Sequence, residues 1–565
     1  MSVYTRRTND NQIDSQCEIA DKKARGSPMI QSIRVVLLLL LEGLNKPLAQ
    51  TARSALIFIS LNIMLIPSVH STEATGYPDV FDDLATQGED IFFNETFDGN
   101  GRTCGTCHRA TENFTLTTDF IASLPADDPL FVAENVPALK FGDPANLDAS
   151  GNPQRFENPN LMRAFGLIVE NQDSMEDLQS RFNMRGVPHI SGLSATIDAP
   201  LQELTPPEER VGWSGDGAPS GVIGGITTSG RLDDFMVGAI VQHFPRSLNR
   251  SLAGPNPDFR LPTAQEIDAV EAFLLSVGRH NELELHDGFP NELVLKDAGA
   301  EAGKVLFRDG VSGGTARCGA CHSNAGANFD SGSNPGNWNF NIGVEQFLQN
   351  RLNDPEFTVV GEPRPVDGGF GTNPDGDFTS LIEQPGYVNE NFGNMTFNTP
   401  SLIEAADTPP FFHNNAAATL EDAIRFFNSP EFFAATGRNI PFNDTQVTQV
   451  ANFLRVINAI DNIENSVLRQ SDRALTALNH SPLPEDVVER LLHIMIADTD
   501  DAIEVLNQGN LYNRGSLPKN AVKQLRQAKK SINWAMNSHA PVHLRIDHIN
   551  AAKVYLANAV NQMKY

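Results

Sequence analysis

Cys104-Gly105-Thr106-Cys107-His108 returns in a second form as Cys318-Gly319-Ala320-Cys321-His322, and the reading of this repeated pentapeptide decides the fold. C-x-x-C-H is the pattern of c-type haem attachment. Two thiols three residues apart lie on one turn of helix, so both can form thioethers to the vinyl groups of one porphyrin while the next residue offers imidazole to its iron. A structural zinc would need four ligands, and the fifth cysteine of the chain, Cys17, adds no second pair to either motif. A thioredoxin-type dithiol does not call for histidine directly after its second cysteine, and here that order occurs twice. The motifs therefore predict two covalent haems c, one on Cys104 and Cys107 with His108 as proximal ligand, the other on Cys318 and Cys321 with His322 in that role.

The flanks of the two motifs repeat as well. Gly88 with Phe92-Phe93 precedes the first, and Gly303 with Phe307 precedes the second, each through a Gly-rich turn. Further on, Thr263-Ala264-Gln265-Glu266 reads as a capping box that opens an amphipathic helix with Ile267, Val270, Phe273, Leu274 and Val277. Asn443-Asp444-Thr445-Gln446 opens another, with Val447, Val450, Phe453, Leu454 and Ile457 at the same offsets. Repetition of this kind marks two copies of one unit. An opening helix, a haem turn and a closing helix make the frame of a cytochrome c domain. The expected architecture is mainly α: two tandem cytochrome c-like haem domains, over 72–290 and 291–465, followed by a C-terminal helical bundle over 466–565. That last stretch shows three helical patterns, at 484–508, 517–537 and 543–564, and reads as a dimerisation or docking element of a homodimer. Its His480, His493, His539, His543 and His548 belong to no motif and read as surface or packing residues. The loop 325–396, rich in Asn, Gly, Asp and Pro, is long enough to be functional or wrapped over the surface.

Between the landmarks, the first unit carries Phe182-Asn183-Met184-Arg185-Gly186-Val187-Pro188, then Trp213-Ser214-Gly215-Asp216-Gly217, then 230–240 with Phe235. The second carries Phe397-Asn398-Thr399-Pro400-Ser401-Leu402, Pro410-Phe411-Phe412-His413-Asn414 and Thr419-Leu420-Glu421-Asp422-Ala423-Ile424. With both haem motifs in this order, residues 78–460 resemble the bacterial dihaem cytochrome c peroxidase family, whose relatives include a quinone-forming dihaem enzyme and dihaem rubber oxygenases. The resemblance implies pseudo-two-fold symmetry between the two cytochrome c-like domains, electron entry through the second haem, substrate chemistry at the first, and Trp213 between them as an inter-haem electron-transfer residue. Two departures stand out. The position at which the family carries the distal ligand of the second haem is Phe427, which has no lone pair for iron, so that haem finds a ligand elsewhere, Met395 and His413 being the candidates, or stays open. Where the peroxidases carry the distal acid–base pair of the first haem, 235–245 offers only Gln242 and His243 as polar side chains. His243 would move a proton between peroxide oxygens or ligate the iron and block it. Phe235 near that iron would make an apolar distal pocket suited to oxygen activation.

A net charge of −28 argues against nucleic acid and favours a basic or cationic partner. The expected partners are a small soluble electron donor, a cytochrome or a cupredoxin, and hydrogen peroxide or another small oxidant. Residues 56–67 form an apolar run of signal-peptide length followed by Val69-His70-Ser71 as a cleavage site, which predicts export to the periplasm with 1–71 as targeting segment. An uncleaved anchor is the alternative, and Met29 is a candidate initiator, since the earlier run 35–41 is too short to span a bilayer. Asp and Asn are plentiful enough for a calcium ion between the domains, without a specific loop for it. The functional alternatives to a peroxidase are a dihaem electron-transfer protein without substrate chemistry and a dihaem oxygenase or protein-modifying enzyme.

Overall fold

Two helix crossings carry the fold, and each turns on one glycine. In the computed structural model, helix α1 (Asp83–Asn94) crosses a second helix over Ala264–Ser276, and a helix over Ala298–Asp309 crosses another over Asp444–Asp461. A β-carbon at Gly88 would stand 1.8 Å from the Ala269 carbonyl oxygen, and one at Gly303 would stand 1.9 Å from that of Gln449. Only glycine lets the backbones approach so closely. One turn on, the rings of Phe92 and Phe273 meet at 5.1 Å, and those of Phe307 and Phe453 at 5.3 Å. The contact repeats residue for residue, Gly at i and Phe at i+4 on the first helix of each pair, against Phe four residues beyond the contacted carbonyl on the second.

Both closing helices begin where the capping boxes place them. Thr263 accepts from the Glu266 amide and Asn443 from the Gln446 amide, while each partner side chain reaches back to the cap backbone. We number the principal helices onward from α1: α2 Leu232–His243, α3 Ala264–Ser276, α4 Ala298–Asp309, α5 Val344–Asn350, α6 Leu420–Phe426, α7 Asp444–Asp461, α8 Leu468–Leu478, α9 Glu485–Asn507, α10 Leu517–Ala535 and α11 Val542–Met563. The architecture is mainly α. Strands are short antiparallel pairs, among them β1 (Leu167–Glu170) with β2 (Asn183–Gly186) and β3 (Asn339–Phe340) with β4 (Phe397–Asn398).

The structure describes residues 83–140, 156–170, 183–194, 211–213, 221–223, 226–228, 232–278, 283–311, 316–329, 336–337, 339–350, 358–359, 362–363, 395–508 and 517–565. The apolar runs 35–41 and 56–67, and residues 364–394 of the long loop, lie outside them. Among the described residues no helix is long and apolar enough to cross a membrane.

The C-terminal helices do not stand apart from what precedes them. Helix α7 is buried on nearly every side from Val447 to Asp461, which a helix needs when it runs through the centre of a core. It continues through a π-helical segment, Asn462–Val467, directly into α8. One hydrophobic core runs from Leu285 to Met563 and takes in Phe307, Val450 and Phe453 together with Leu492, Val522, Ile532 and Leu556. The chain end closes back on the connector before α4, the Lys296 amide donating to the Met563 carbonyl at 2.8 Å and the Tyr565 amide to that of Val294 at 3.0 Å. The apolar stripes of α9, α10 and α11 are thus buried within the chain. His480, His493, His539 and His543 are exposed, and His548 stacks on Trp534 at 3.8 Å.

Candidate functional site

The two motifs fold into similar but unequal turns. Cys104–Cys107 is one turn of α-helix, with the His108 amide donating to the Cys104 carbonyl at 3.0 Å. Cys318–Ala320 is instead a 3₁₀ turn, although the His322 amide still reaches the Cys318 carbonyl at 3.0 Å. A second 3₁₀ turn follows at once over Ser323–Ala325, and short tightened turns are the usual form of such connectors. Neither pair is a disulfide. Burial pushes the thiols of Cys104 and Cys318 up to about 12 and those of Cys107 and Cys321 up to about 11, so all four are neutral.

The histidines are oriented by backbone. His108 Nδ1 lies 3.0 Å from the Phe114 carbonyl oxygen, and the Pro188 backbone carbonyl accepts a further hydrogen bond from the ring. His322 Nδ1 lies 3.0 Å from the Pro400 carbonyl and 3.2 Å from that of Gly326. A carbonyl only accepts, so Nδ1 carries the proton in both rings and Nε2 keeps its lone pair. Burial lowers both imidazoles to about 4, against the raising effect of those hydrogen bonds, and each is therefore neutral. A metal-ligating histidine takes this form, with the distal nitrogen free and the other held by a carbonyl.

Cys318, Cys321 and His322 share one cavity. About 1450 Å³ of space between atoms, open at its mouth, is walled by the α6 residues Leu420, Ala423 and Ile424 and by Phe412, Phe427 and Phe432. Trp213, His189, His413 and Arg317 line it as well. The Phe427 ring stands 6.4 Å from Phe412 and 5.2 Å from Phe432. An apolar chamber with two free thiols and a neutral imidazole on its wall fits a porphyrin, which is mostly apolar surface around a metal that needs one axial nitrogen.

The first motif is built differently. Arg102, two residues before Cys104, is fully buried and makes a bidentate pair with Glu157, at 2.8 Å from Nη1 and 2.6 Å from Nη2, while Nη2 also donates to the Leu130 carbonyl at 2.6 Å. His243, at the C-terminal end of α2, is tied to the loop that feeds this motif. Asn100 Nδ2 donates to the His243 carbonyl at 2.9 Å and to that of Pro245 at 3.0 Å, and the Asn100 amide donates to the Phe244 carbonyl at 2.8 Å. The imidazole is enclosed, and its Nδ1 has no hydrogen-bond partner. Burial first, then the charges of Arg102, His108 and Arg250, lower it to about 3. A buried ring nitrogen without a partner is rare enough to need a reason.

Trp213 sits where the two halves meet. Its indole Nε1 donates to the Gly186 carbonyl at 2.8 Å, and its own carbonyl accepts from the Asn398 amide at 2.9 Å. Phe235 is half-buried and packs on Gly212 next to that indole. Met395 does not line the cavity, its sulfur accepting from Gln346 Nε2 at 3.1 Å. His413 does, but its Nε2 is 2.5 Å from Glu345 Oε1, and its ring stacks on Phe397 at 3.5 Å.

Several participants were not singled out from the sequence. His189, half-buried with an enclosed and unpartnered Nδ1, follows Pro188, which bonds His108 and, like His189, lines the cavity of His322. Glu345 is buried under His413. The one available signal was the recurrence of proline, in Val187-Pro188 and Thr399-Pro400, as the residue whose backbone serves each motif histidine. Beneath the 3₁₀ turn Ala405–Asp407, a group of carboxyls is enclosed. Burial raises Glu404 and Asp498 well above the usual range and lifts Asp407 and Asp501 to about 7. Among the described residues no group of three or more His, Cys, Asp or Glu is disposed to hold a metal ion, so the expected calcium finds no such group there, whereas a haem iron needs only one of these side chains from a C-x-x-C-H turn.

Comparison with protein-family models, with curated proteins and with solved structures finds no match to this chain.

Proposed function

We propose that the chain is an exported dihaem c-type oxidoreductase of the cytochrome c peroxidase kind, working in the periplasm, which draws electrons from a small soluble cytochrome or cupredoxin and delivers them to hydrogen peroxide or another small oxidant. Two cytochrome c-like domains, over 72–290 and 291–465, would each carry one haem, and 466–565 would brace them as a helical extension. The observation that carries this reading is the pair of C-x-x-C-H turns in which a neutral imidazole, with Nδ1 on a backbone carbonyl, stands beside two free, neutral thiols. A haem bound in each would supply one-electron chemistry at iron.

Within that reading, Cys104 and Cys107, and Cys318 and Cys321, would hold the porphyrins through thioethers, their S–H adding across the vinyl groups without an oxidant, and His108 and His322 would each offer Nε2 to an iron. Trp213, hydrogen-bonded to both halves, offers a π system between the two motifs. His243 is the one titratable side chain from the window 235–245 that the structure encloses near His108, and its unpartnered nitrogen can hold a proton or a metal.

Steady-state oxidation of a reduced small cytochrome by hydrogen peroxide tests the reading. Turnover well above that of free haem is expected, and turnover no faster than free haem would sink the peroxidase. The apolar wall of the second cavity favours one other reading, oxygen activation on a hydrophobic substrate, which would consume dioxygen and leave peroxide untouched.

A further inference from the structure

We propose that the cavity bounded by α1, α8 and α9 is a proton-binding site serving the first motif, whose carboxyls take up a proton from solvent when the haem on Cys104 and Cys107 is reduced. This rests on the dihaem reading above. The reaction of that reading joins two protons and two electrons to hydrogen peroxide and yields two waters, and the cavity is where a proton for it is held.

The cavity joins the first motif to the C-terminal helices. About 1210 Å³ of space between atoms, open at its mouth, is lined on one side by Phe93 and Phe114 and on the other by Glu404, Asp461, Asp498 and Asp501. Phe93 lies against the motif turn, since a β-carbon at Gly105 would stand 2.4 Å from its ring. Phe114 gives its carbonyl to His108 Nδ1 at 3.0 Å. Asn113, also on the wall, donates from Nδ2 to the Asp407 carbonyl at 3.1 Å and so ties the motif loop to the turn that carries the carboxyls.

Asn458 fits a group that changes its protonation. The residue is fully buried, its Nδ2 donates to Glu404 Oε2 at 3.0 Å and to Asp407 Oδ2 at 3.1 Å, and its Oδ1 is enclosed without a hydrogen-bond partner. An enclosed acceptor left unused is costly. As it stands, Nδ2 suits ionised carboxylates; turned over, the same amide presents Oδ1 to a carboxyl that has gained a proton. Asp407 Oδ1 is likewise enclosed without a partner and is an oxygen on which that proton can sit.

The charges around the group decide when it binds. Asp461 faces it from α7, Asp498, Asp500, Asp501 and Glu504 from α9, and Arg469 from α8. Arg473 and Arg490 act on Glu89 of α1, with Arg490 paired to it at 3.3 Å. Burial, and after it the neighbouring carboxylates, raise Glu404 and Asp498 well above the usual range and lift Asp407 and Asp501 to about 7. One further negative charge, the electron that reduces the first haem, then favours the protonated form. By linkage the proton favours the electron equally.

Redox titration of the holoprotein across pH tests this, after a pyridine haemochrome assay has counted the haems. A count below two overturns the dihaem reading and the proposal with it. With two present, C318A/C321A isolates the first haem. Its potential should fall by about 59 mV as pH rises from about 6 to 8, which corresponds to a proton held about tenfold more tightly in the reduced form. Infrared difference spectra of the native protein should gain a protonated-carboxyl band on reduction, and that band should shift in deuterium oxide. E404Q and D407N should each cut the fall by about half or more, and D501N, on the half-buried rim, gives the same readout should either fail to fold. A potential that does not move with pH would overturn the proposal. So would a fall that survives unchanged in all three variants, since the proton would then sit on another group, such as the carboxylates of the haem itself.

Discussion

The two halves of the molecule are alike in frame and unlike in what faces the motif histidine. Gly88 and Gly303 let the same pair of helices cross at the same depth, with Phe92 on Phe273 in one and Phe307 on Phe453 in the other. Both histidines give Nδ1 to a carbonyl. Beyond that the halves diverge. The first encloses His243 beside a buried Arg102–Glu157 pair, and the second opens a chamber walled by phenylalanine. The lesson is that the backbone frame fixes how each motif histidine is held, while a few side chains from distant segments decide what surrounds it.

The largest expected effects break the comparison outright. Replacing either cysteine pair with alanine should remove one haem and leave the other, halving the haemochrome absorbance per chain. Loss of both haems from one double variant would mean that the halves do not load independently.

The Arg102–Glu157 pair stands two residues before Cys104, whereas the bidentate Arg455–Glu421 pair of the second half joins α7 to α6, so E157A should act on the first motif only. Stranding a buried guanidinium costs about 3–5 kcal/mol, which chemical denaturation will read directly. Loss of the first haem's native spectrum before the second's is the expected sequence of events, and simultaneous loss would count against it.

The glycine crossings predict likeness instead. G88A and G303A each drive a β-carbon into a carbonyl oxygen and should each cost about 1–3 kcal/mol, typical of overpacking. A large cost at one and none at the other would show that the crossings are not equivalent.

The smallest effect concerns the acidic group at the seam of α7 and α9. Asp407 rises to about 7 chiefly through burial, and Asp461 and Asp498 lie among the charges around it, with Asn458 and Asn462 donating to its Oδ2. A carboxyl raised in the folded state favours folding while protonated, so its contribution is intact below the unfolded value near 4 and is lost as pH rises through 7. The loss runs at up to about 1.4 kcal/mol per pH unit for one group. D407N should flatten the fall in stability between about pH 4 and pH 7, and an unchanged slope would remove Asp407 as its source.

Much of this is legible in the sequence. Capping boxes at Thr263 and Asn443 fixed two helix starts to the residue, because a cap is a local hydrogen-bond pattern. The helices at 485–507, 517–535 and 542–563 followed from long periodic patterns with few glycines. The shared core was not legible: periodicity marks which face of a helix is apolar and does not say what that face meets, so α9, α10 and α11 read as an appendage when they complete the core around α7. The site divided in the same way. Cys104, Cys107, His108 and their second copies are contiguous in sequence and were plain. His189, Glu345 and Arg102–Glu157 owe their positions to contacts between distant segments, which no local pattern records. His243 was visible only as a polar residue in an apolar window, and its anchoring by Asn100 spans 143 residues.

Intact mass of the mature protein after acid-acetone treatment tests the central claim most directly. The account predicts a coloured polypeptide that retains its pigment and is heavier than its sequence by two haem groups. A colourless chain, or pigment stripped into the acetone, would contradict it.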